Sequence, residues 1–513
     1  MKNFKITGRI IALFIALCMT MCACSKKEEP MAPETPSNEP TAEAPAESPA
    51  DDKQTEEPAK EEEPATTAEP TKAEEPEAPK YNYTGGKQVI VYFANWYLGS
   101  KTAEEGAEVA GIPWDSVTFV NHAFWEVAPV DGSTESSFDR RDDGLEPRTE
   151  FAVQPTDEEA DLLDEEMSEV VDGLKRNHFA EYEYFSQLYP DVNIMISVGG
   201  WTDSGFFSEM AYTEAGRSSF VESCVELLKK YPWIDGIDLD WEYPGGNIDG
   251  ERWPEDDSDE GCPIWGTPDE DNTNFAALVK LMKERFAAEF GEGAKKITAC
   301  ASASTGYTLP CQDWAQAEPY LDFINIMTYD MAGTWDGATG FMTSLDWTIT
   351  AARYLKAQGI PTTKLNIGSP MYALCERMKE MDTTGIIGAE IEEEAPNEEE
   401  IPEDVVSKWE SEAVSGYAIV QDGQGRYLAG DEFDKGGTGW HMKYHPVQGC
   451  VYMYNDDEAS PYYRWFVSYE NPVSLQLKLD LIYEWDLAGI IVWEVSEDTT
   501  DKALIKQMGT FLK

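Results

Sequence analysis

Residues 235–245 read Asp235-Gly236-Ile237-Asp238-Leu239-Asp240-Trp241-Glu242-Tyr243-Pro244-Gly245. Acidic and apolar residues alternate up to Glu242, the period of an extended strand. Asp238, Asp240 and Glu242 therefore share one face, successive pairs roughly 6.6 Å apart, and Ile237, Leu239 and Trp241 share the other. Ordinary packing inside a parallel barrel would favour Val, Ile or Leu on both faces. Three carboxylates on one face require shared protons and hydrogen bonds, because like charges at this range raise one another's pKa. A metal site is the alternative use of such a ladder, but the chain has four His in all and none in this segment. Asp235 is out of phase with the ladder and serves either as a cap at the strand entry or as a further reactive group.

Seven other apolar runs of strand length surround this one, at 89–93, 117–124, 193–198, 297–301, 323–329, 364–368 and 489–493, with the ladder itself at 236–241. Several are followed by helical patterns, such as 216–230 and 274–290. Eight strand-then-helix units predict an α/β fold, a closed (β/α)8 TIM barrel over residues 81–513, with reactive groups at the C-terminal strand ends. The roughly 120 residues between the seventh and eighth runs exceed any crossover helix. They predict a small α+β insertion subdomain at 375–466 on the barrel rim, and shorter acidic insertions are expected at 126–172 and 245–272. The Asp269-Glu270-Asp271-Asn272 cluster is expected to be a solvated loop, with cation binding as the rival reading.

The 513-residue chain carries 39 basic against 98 acidic side chains, a formal charge of -59, and residues 81–513 alone hold 30 against 81. Phosphate polymers need a positive footprint, so nucleic acid is excluded as a partner and a neutral or cationic substrate is expected. The aromatic share of 12% is too high for a disordered chain. Lys2, Lys5 and Arg9 precede an apolar run at 10–19 that is too short to span a bilayer and is shaped as the core of an export signal within residues 1–24. Met21-Cys22-Ala23-Cys24-Ser25 resembles a bacterial lipoprotein processing site. That implies lipidation at Cys24 and a surface anchor, with free secretion as the alternative. Residues 25–80 are mostly Glu, Pro, Ala, Thr, Ser and Lys, with no aromatic. They cannot bury enough surface to fold and are read as a disordered linker with a reach of at most on the order of 170 Å. Six cysteines follow the signal, without C-x-x-C spacing, so zinc is unsupported and no cofactor or metal is expected. Cys300 reads as a buried thiol, and His122 as a hydrogen-bonded structural residue.

A carboxyl held protonated at the end of a barrel strand is what a general acid for glycosidic cleavage requires, and Glu242 occupies that end. The whole string 235–245 resembles the signature of glycoside hydrolase family eighteen, its Trp-Glu-Tyr-Pro ending being chitinase-like. Ser197-Val198-Gly199-Gly200-Trp201 is similar to the family's third-strand motif, Met327-Thr328-Tyr329-Asp330 to its sixth-strand motif, and Trp493 to its eighth-strand Trp. Tyr92 with Trp96, and Ala123-Phe124, fit the first two strands, and 469–475 resembles the return from the inserted subdomain.

The resemblance implies substrate-assisted cleavage of β-1,4 bonds between N-acetylglucosamine units in chitin or its oligomers. Glu242 would act as the acid, Asp240 and Asp238 would support the acetamido group, and Tyr329 would hydrogen-bond its oxygen. It further implies substrate binding by Tyr92, Trp96, Phe124, Gly200, Trp201, Tyr243, Met327, Asp330, Trp335 and Trp493. An endo-β-N-acetylglucosaminidase acting on N-glycans or peptidoglycan-type glycans, and a non-catalytic glycan-binding protein, are the alternatives. A monomer is expected. Two segments depart from the family pattern: the long acidic loop after Gly245 carries Trp253 and Trp265, and Ser369-Pro370-Met371-Tyr372-Ala373 lacks the usual Gly-Arg.

Overall fold

The computed structural model describes residues 83–97, 109–133, 135–162, 177–249, 263–392, 417–418, 439–460, 462–498 and 502–513. The expected signal, Cys24 and the linker lie outside these residues, as does Trp253. Fourteen strands are described: β1 Gln88–Ala94, β2 Phe119–Pro129, β3 Phe151–Pro155, β4 Asn193–Gly199, β5 Gly236–Asp240, β6 Lys296–Ser302, β7 Phe323–Met327, β8 Leu365–Pro370, β9 Ala373–Arg377, β10 Tyr417–Ala418, β11 Trp440–His445, β12 Cys450–Asn455, β13 Trp465–Tyr469 and β14 Gly489–Trp493. Eight of them run parallel in the order β1-β14-β8-β7-β6-β5-β4-β2, and β2 pairs back with β1 to close the barrel. All eight correspond to the runs read from the sequence.

The period of two sorts each strand into two phases. Val89, Val91, Ile194, Ile196, Ile237, Leu239, Ile324, Ile326, Leu365 and Ile367 point outward into the layer shared with the helices. Ile90, Tyr92, Phe119, Met195, Cys300 and Ile491 form a separate cluster inside the barrel. Helix Glu214–Lys230 is started by Thr213, whose hydroxyl accepts from Gly216 N at 2.9 Å, and it buries Phe220, Val221, Cys224, Val225 and Leu228 against that outer layer. Each such aliphatic or aromatic side chain stabilises the fold by roughly 1.5–3 kcal/mol relative to exposure.

Three expectations change. The insertion expected from residue 126 starts later: residues 126–129 extend β2, and β3 pairs antiparallel with that extension from Trp125–Pro155 to Pro129–Phe151. The 269–272 cluster is not a solvated loop but the first turn of helix Pro268–Phe290, with Thr267 as its cap and Asp271 and Asn272 buried. Acids in a first turn complement the helix dipole. The fourth and sixth runs are shorter than read, ending at Asp240 and Met327. At the first of these ends Gly200 N donates to Asp240 O at 2.7 Å, so the chain leaves the ladder there. The expected insertion is present as a five-stranded antiparallel sheet, β10-β9-β13-β12-β11. Among the described residues, Cys224, Cys300, Cys311 and Cys450 are free thiols.

Candidate active site

The inward phase of β5 puts Asp238 and Asp240 inside the barrel and Glu242 just beyond the strand end, all three buried. Trp241, in the opposite phase, is buried outside and stacks on Phe207 at 5.4 Å. Asp238 has a full set of donors. Its Oδ2 accepts from Tyr92 Oη at 2.8 Å and Ser197 Oγ at 2.9 Å, and its Oδ1 from Asn325 Nδ2 at 3.3 Å and from the Thr298 hydroxyl. These partners sit on β1, β4, β7 and β6. Burial pushes the Asp238 carboxyl up, and the donors only partly offset it.

Asp240 differs. Its Oδ1 is buried and has no hydrogen-bond partner among the described residues. Burial, then the neighbouring Glu242 and Asp238 charges, hold its carboxyl well above the usual range, opposed only by Cys300. Two carboxylate charges side by side in a dry interior repel, which favours the protonated form of the ladder. Ser204 fixes its backbone: the hydroxyl donates to Gly200 O at 2.8 Å and accepts from Glu242 N at 3.0 Å. Gly199 and Gly200 adopt φ +108° and +88°. A Cβ at Gly200 would meet the Phe124 ring at 2.6 Å, and one at Gly199 would meet Asp240 O at 2.4 Å, so both positions require glycine.

The phenol of Tyr329 is pushed well above its ordinary value by burial, then by Cys300 and Asp240, and stays a neutral donor. Burial and Glu242 do the same to half-buried Tyr243. Burial and the Asp238 charge raise Tyr92. Asp330 lies at the mouth, where it accepts from Tyr372 Oη at 2.5 Å.

The floor is aromatic. Trp493 stacks on Phe124 at 5.4 Å and meets Tyr92 at 5.7 Å and Trp96 at 6.2 Å; Trp96 and Phe124 stand 6.3 Å apart. Half-buried Met327 packs on the same interior cluster. Trp96, Trp201 and Trp335 expose 48%, 53% and 58% of their surface. The barrel mouth thus combines a proton-sharing carboxylate ladder with flat apolar platforms, a pairing suited to sugar rings.

Residues 88–498 match the family model described as glycosyl hydrolases family 18. The chain belongs to this family. Curated proteins similar to this chain include Chitinase C of Streptomyces lividans, 26% identical over 82% of this chain and 58% of its own length, and the endochitinase of Manduca sexta, 26% identical over 80% and 64%. The chain spans less than two thirds of the length of either. The Group IV chitinase of Ostrinia furnacalis, solved in complex with allosamidin, shares the fold at TM-score 0.61 and 21% identity, covering 83% of this chain and 98% of that one. Chitinase ChiA74 from Bacillus thuringiensis aligns at TM-score 0.62 and 22% identity, over 82% and 70%.

Against this family 18 frame, Asp235 takes the capping role, its Oδ2 accepting from Ile194 N at 2.9 Å. His122 is hydrogen-bonded on both ring nitrogens, to Tyr182 and Asp161. Sequence reasoning passed over Thr298, Asn325 and Ser204, which orient the ladder from other strands and loops. Cys300 was read as merely buried, yet it contacts Tyr92 Oη at 3.0 Å. Asn325 alternates with Ile324 and Ile326 just as Asp238 does with Ile237 and Leu239, and an inward polar residue in that phase was the available signal.

Proposed function

We propose that this family 18 protein hydrolyses β-1,4 bonds between N-acetylglucosamine units of chitin or chitooligosaccharides with retention, the substrate's acetamido group serving as nucleophile. The observation that carries the reading is the Asp238–Asp240–Glu242 ladder, in which a buried Asp240 oxygen has no partner among the described residues. Glu242 donates its proton to the glycosidic oxygen as the acetamido carbonyl oxygen bonds to the anomeric carbon and the glycosidic C–O bond breaks. The free Asp240 oxygen accepts the acetamido N–H, and its negative charge balances the oxazolinium ion. Asp238, held by its donors, carries the proton that Asp240 releases. Tyr329 donates to the acetamido oxygen and aims it. Water then adds to the anomeric carbon, gives its proton to Glu242 and reopens the ring. Tyr92, Trp96, Phe124, Gly200, Trp201, Tyr243, Met327, Asp330, Trp335 and Trp493 line the sugar path, and no cofactor takes part.

The chain is exported as a monomer, lipidated at Cys24 and held from the membrane by the 25–80 linker; Cys24→Ala should release it into the medium and abolish labelling by a radioactive fatty acid. The activity is tested by a mass-spectrometric time course with chitin hexamer and a high-mannose glycopeptide in one tube, using wild type and Glu242→Gln. Shortening of the hexamer by wild type alone supports the reading. Cleavage of the glycopeptide alone would transfer the mechanism to N-glycans, and no cleavage of either would leave a glycan-binding protein.

A further inference from the structure

A second buried carboxylate lies outside the barrel wall. Asp161 ends the short helix Glu158–Asp161 in the insertion after β2 and is fully buried. Its Oδ1 faces His122 Nε2 at 2.8 Å and His178 Nδ1 at 2.9 Å, while its Oδ2 accepts from Trp125 Nε1 at 2.9 Å and Asn95 Nδ2 at 3.2 Å. Behind it, His122 Nδ1 meets Tyr182 Oη at 3.1 Å. Two imidazoles and a carboxylate so close together invite a metal reading. Ligands around a tetrahedral ion, each near 2.0 Å from it, lie roughly 3.3 Å apart. The separations here are those of N–H···O hydrogen bonds, and one oxygen receives both rings. The cluster is a hydrogen-bonded anion.

Two of its four donors lead to the candidate active site. Asn95 follows β1 and directly precedes Trp96; besides Asp161, its Nδ2 donates to Phe124 O at 3.2 Å. Trp125, the other donor, directly follows Phe124. Thr156 Oγ1 adds a second hydrogen bond to Phe124 O at 2.6 Å. The same anion therefore fixes the chain on both sides of the Trp96–Phe124–Trp493 floor, and Phe124 must stay on Trp493 while its ring edge clears Gly200.

We infer that Asp161, acting through Asn95 and Trp125, is a positioning residue that sets the sugar-stacking floor formed by Trp96 and Phe124, so that a carboxylate outside the barrel tunes oligosaccharide affinity without touching substrate. This rests on the sugar-binding reading above. A floor residue displaced by about 1 Å loses stacking without affecting the acid, so the effect belongs in KM and spares kcat.

The test uses Asn95→Ala, which keeps both imidazole contacts of Asp161, and Asp161→Asn, which replaces one acceptor by a donor. Initial rates on chitin hexamer should show KM raised several-fold to about tenfold in each, with kcat within a factor of two of wild type. Ligand-free crystal structures of both variants should show the Phe124 ring off its 5.4 Å stack on Trp493. If Asp161→Asn fails to fold, Trp125→Phe takes its place, since it removes the Nε1 donor to Asp161 Oδ2 and leaves both hydrogen bonds to Phe124 O. Unchanged KM with an unmoved floor, or a fall in kcat at constant KM, overturns the inference. A wild type that cleaves no hexamer sinks the functional reading instead, and the ligand-free structures then decide the positioning claim by themselves.

Discussion

Asp161 and Asp240 are both buried aspartates a short distance from the same aromatic floor, and their environments drive them in opposite directions. Burial penalises the charge on each. At Asp161 the influence of His122 and then His178 outweighs that penalty, and the carboxyl is held well below its ordinary value. At Asp240 only Cys300 opposes the penalty: one oxygen lacks a donor among the described residues, two carboxyl neighbours repel it, and the group is held well above that value. The donor complement, not depth, separates an aspartate that organises structure from one left open for chemistry. Asp271 falls between them. It is 1% exposed, accepts from Ser208 Oγ at 2.6 Å, keeps Oδ2 without a partner among the described residues, and is raised by burial to about 7.

The sharpest way to break this comparison is to neutralise the open side. Glu242→Gln should lower kcat on a chitooligosaccharide by on the order of a thousandfold, and Asp240→Asn by on the order of a hundredfold. Hexamer affinity, read by calorimetry, should change little in either. Retained turnover in both would mean that the ladder is structural and the contrast with Asp161 is empty.

On the closed side the currency is stability. Asp161→Ala strands His122, His178 and Trp125 donors in the interior and should cost about 3 kcal/mol in urea unfolding, where Asp240→Ala should cost far less. Because the folded Asp161 pKa lies below the unfolded value near 3.9, its contribution is present above that pH and is lost as pH falls through it. The wild-type Tm should therefore drop more steeply than that of the variant below about pH 4. Parallel curves would show that the four donors do not stabilise the anion.

Asp271 supplies the smallest effect and the opposite sign. A folded pKa of about 7 means that deprotonation opposes folding, so the penalty grows as pH rises from about 4 and is complete above 7. Asp271→Asn keeps an oxygen for the Ser208 contact and removes the titrating carboxyl. Its Tm should match wild type at pH 4 and exceed it by a few degrees at pH 8. A constant difference across that range would show that the carboxyl is not the titrating group.

Much of the site was legible because a strand writes its two faces into alternate residues. Asp238, Asp240 and Glu242 could be assigned to one face, and Trp241 to the other, from local geometry alone. The eight apolar runs likewise marked the barrel strands, since each must bury an outward face against helices. Asp271 was misread as solvated, because its partners Ser208 and Gly245 are brought to it by a distant helix and loop. Asp161 stood among Asp157, Glu158 and Glu159 in an acidic stretch with nothing to distinguish it.

The sequence by itself determined the period, the inward carboxylates and the family. Only the tertiary structure decided which of those acids receive donors. Thr298, Asn325, Ser197 and Tyr92 reach Asp238 from four other strands, and His122, His178 and Asn95 reach Asp161 from three separate segments. A hydrogen bond depends on separations of about 3 Å that barrel closure and strand register set between residues far apart in the chain. No local pattern carries that information.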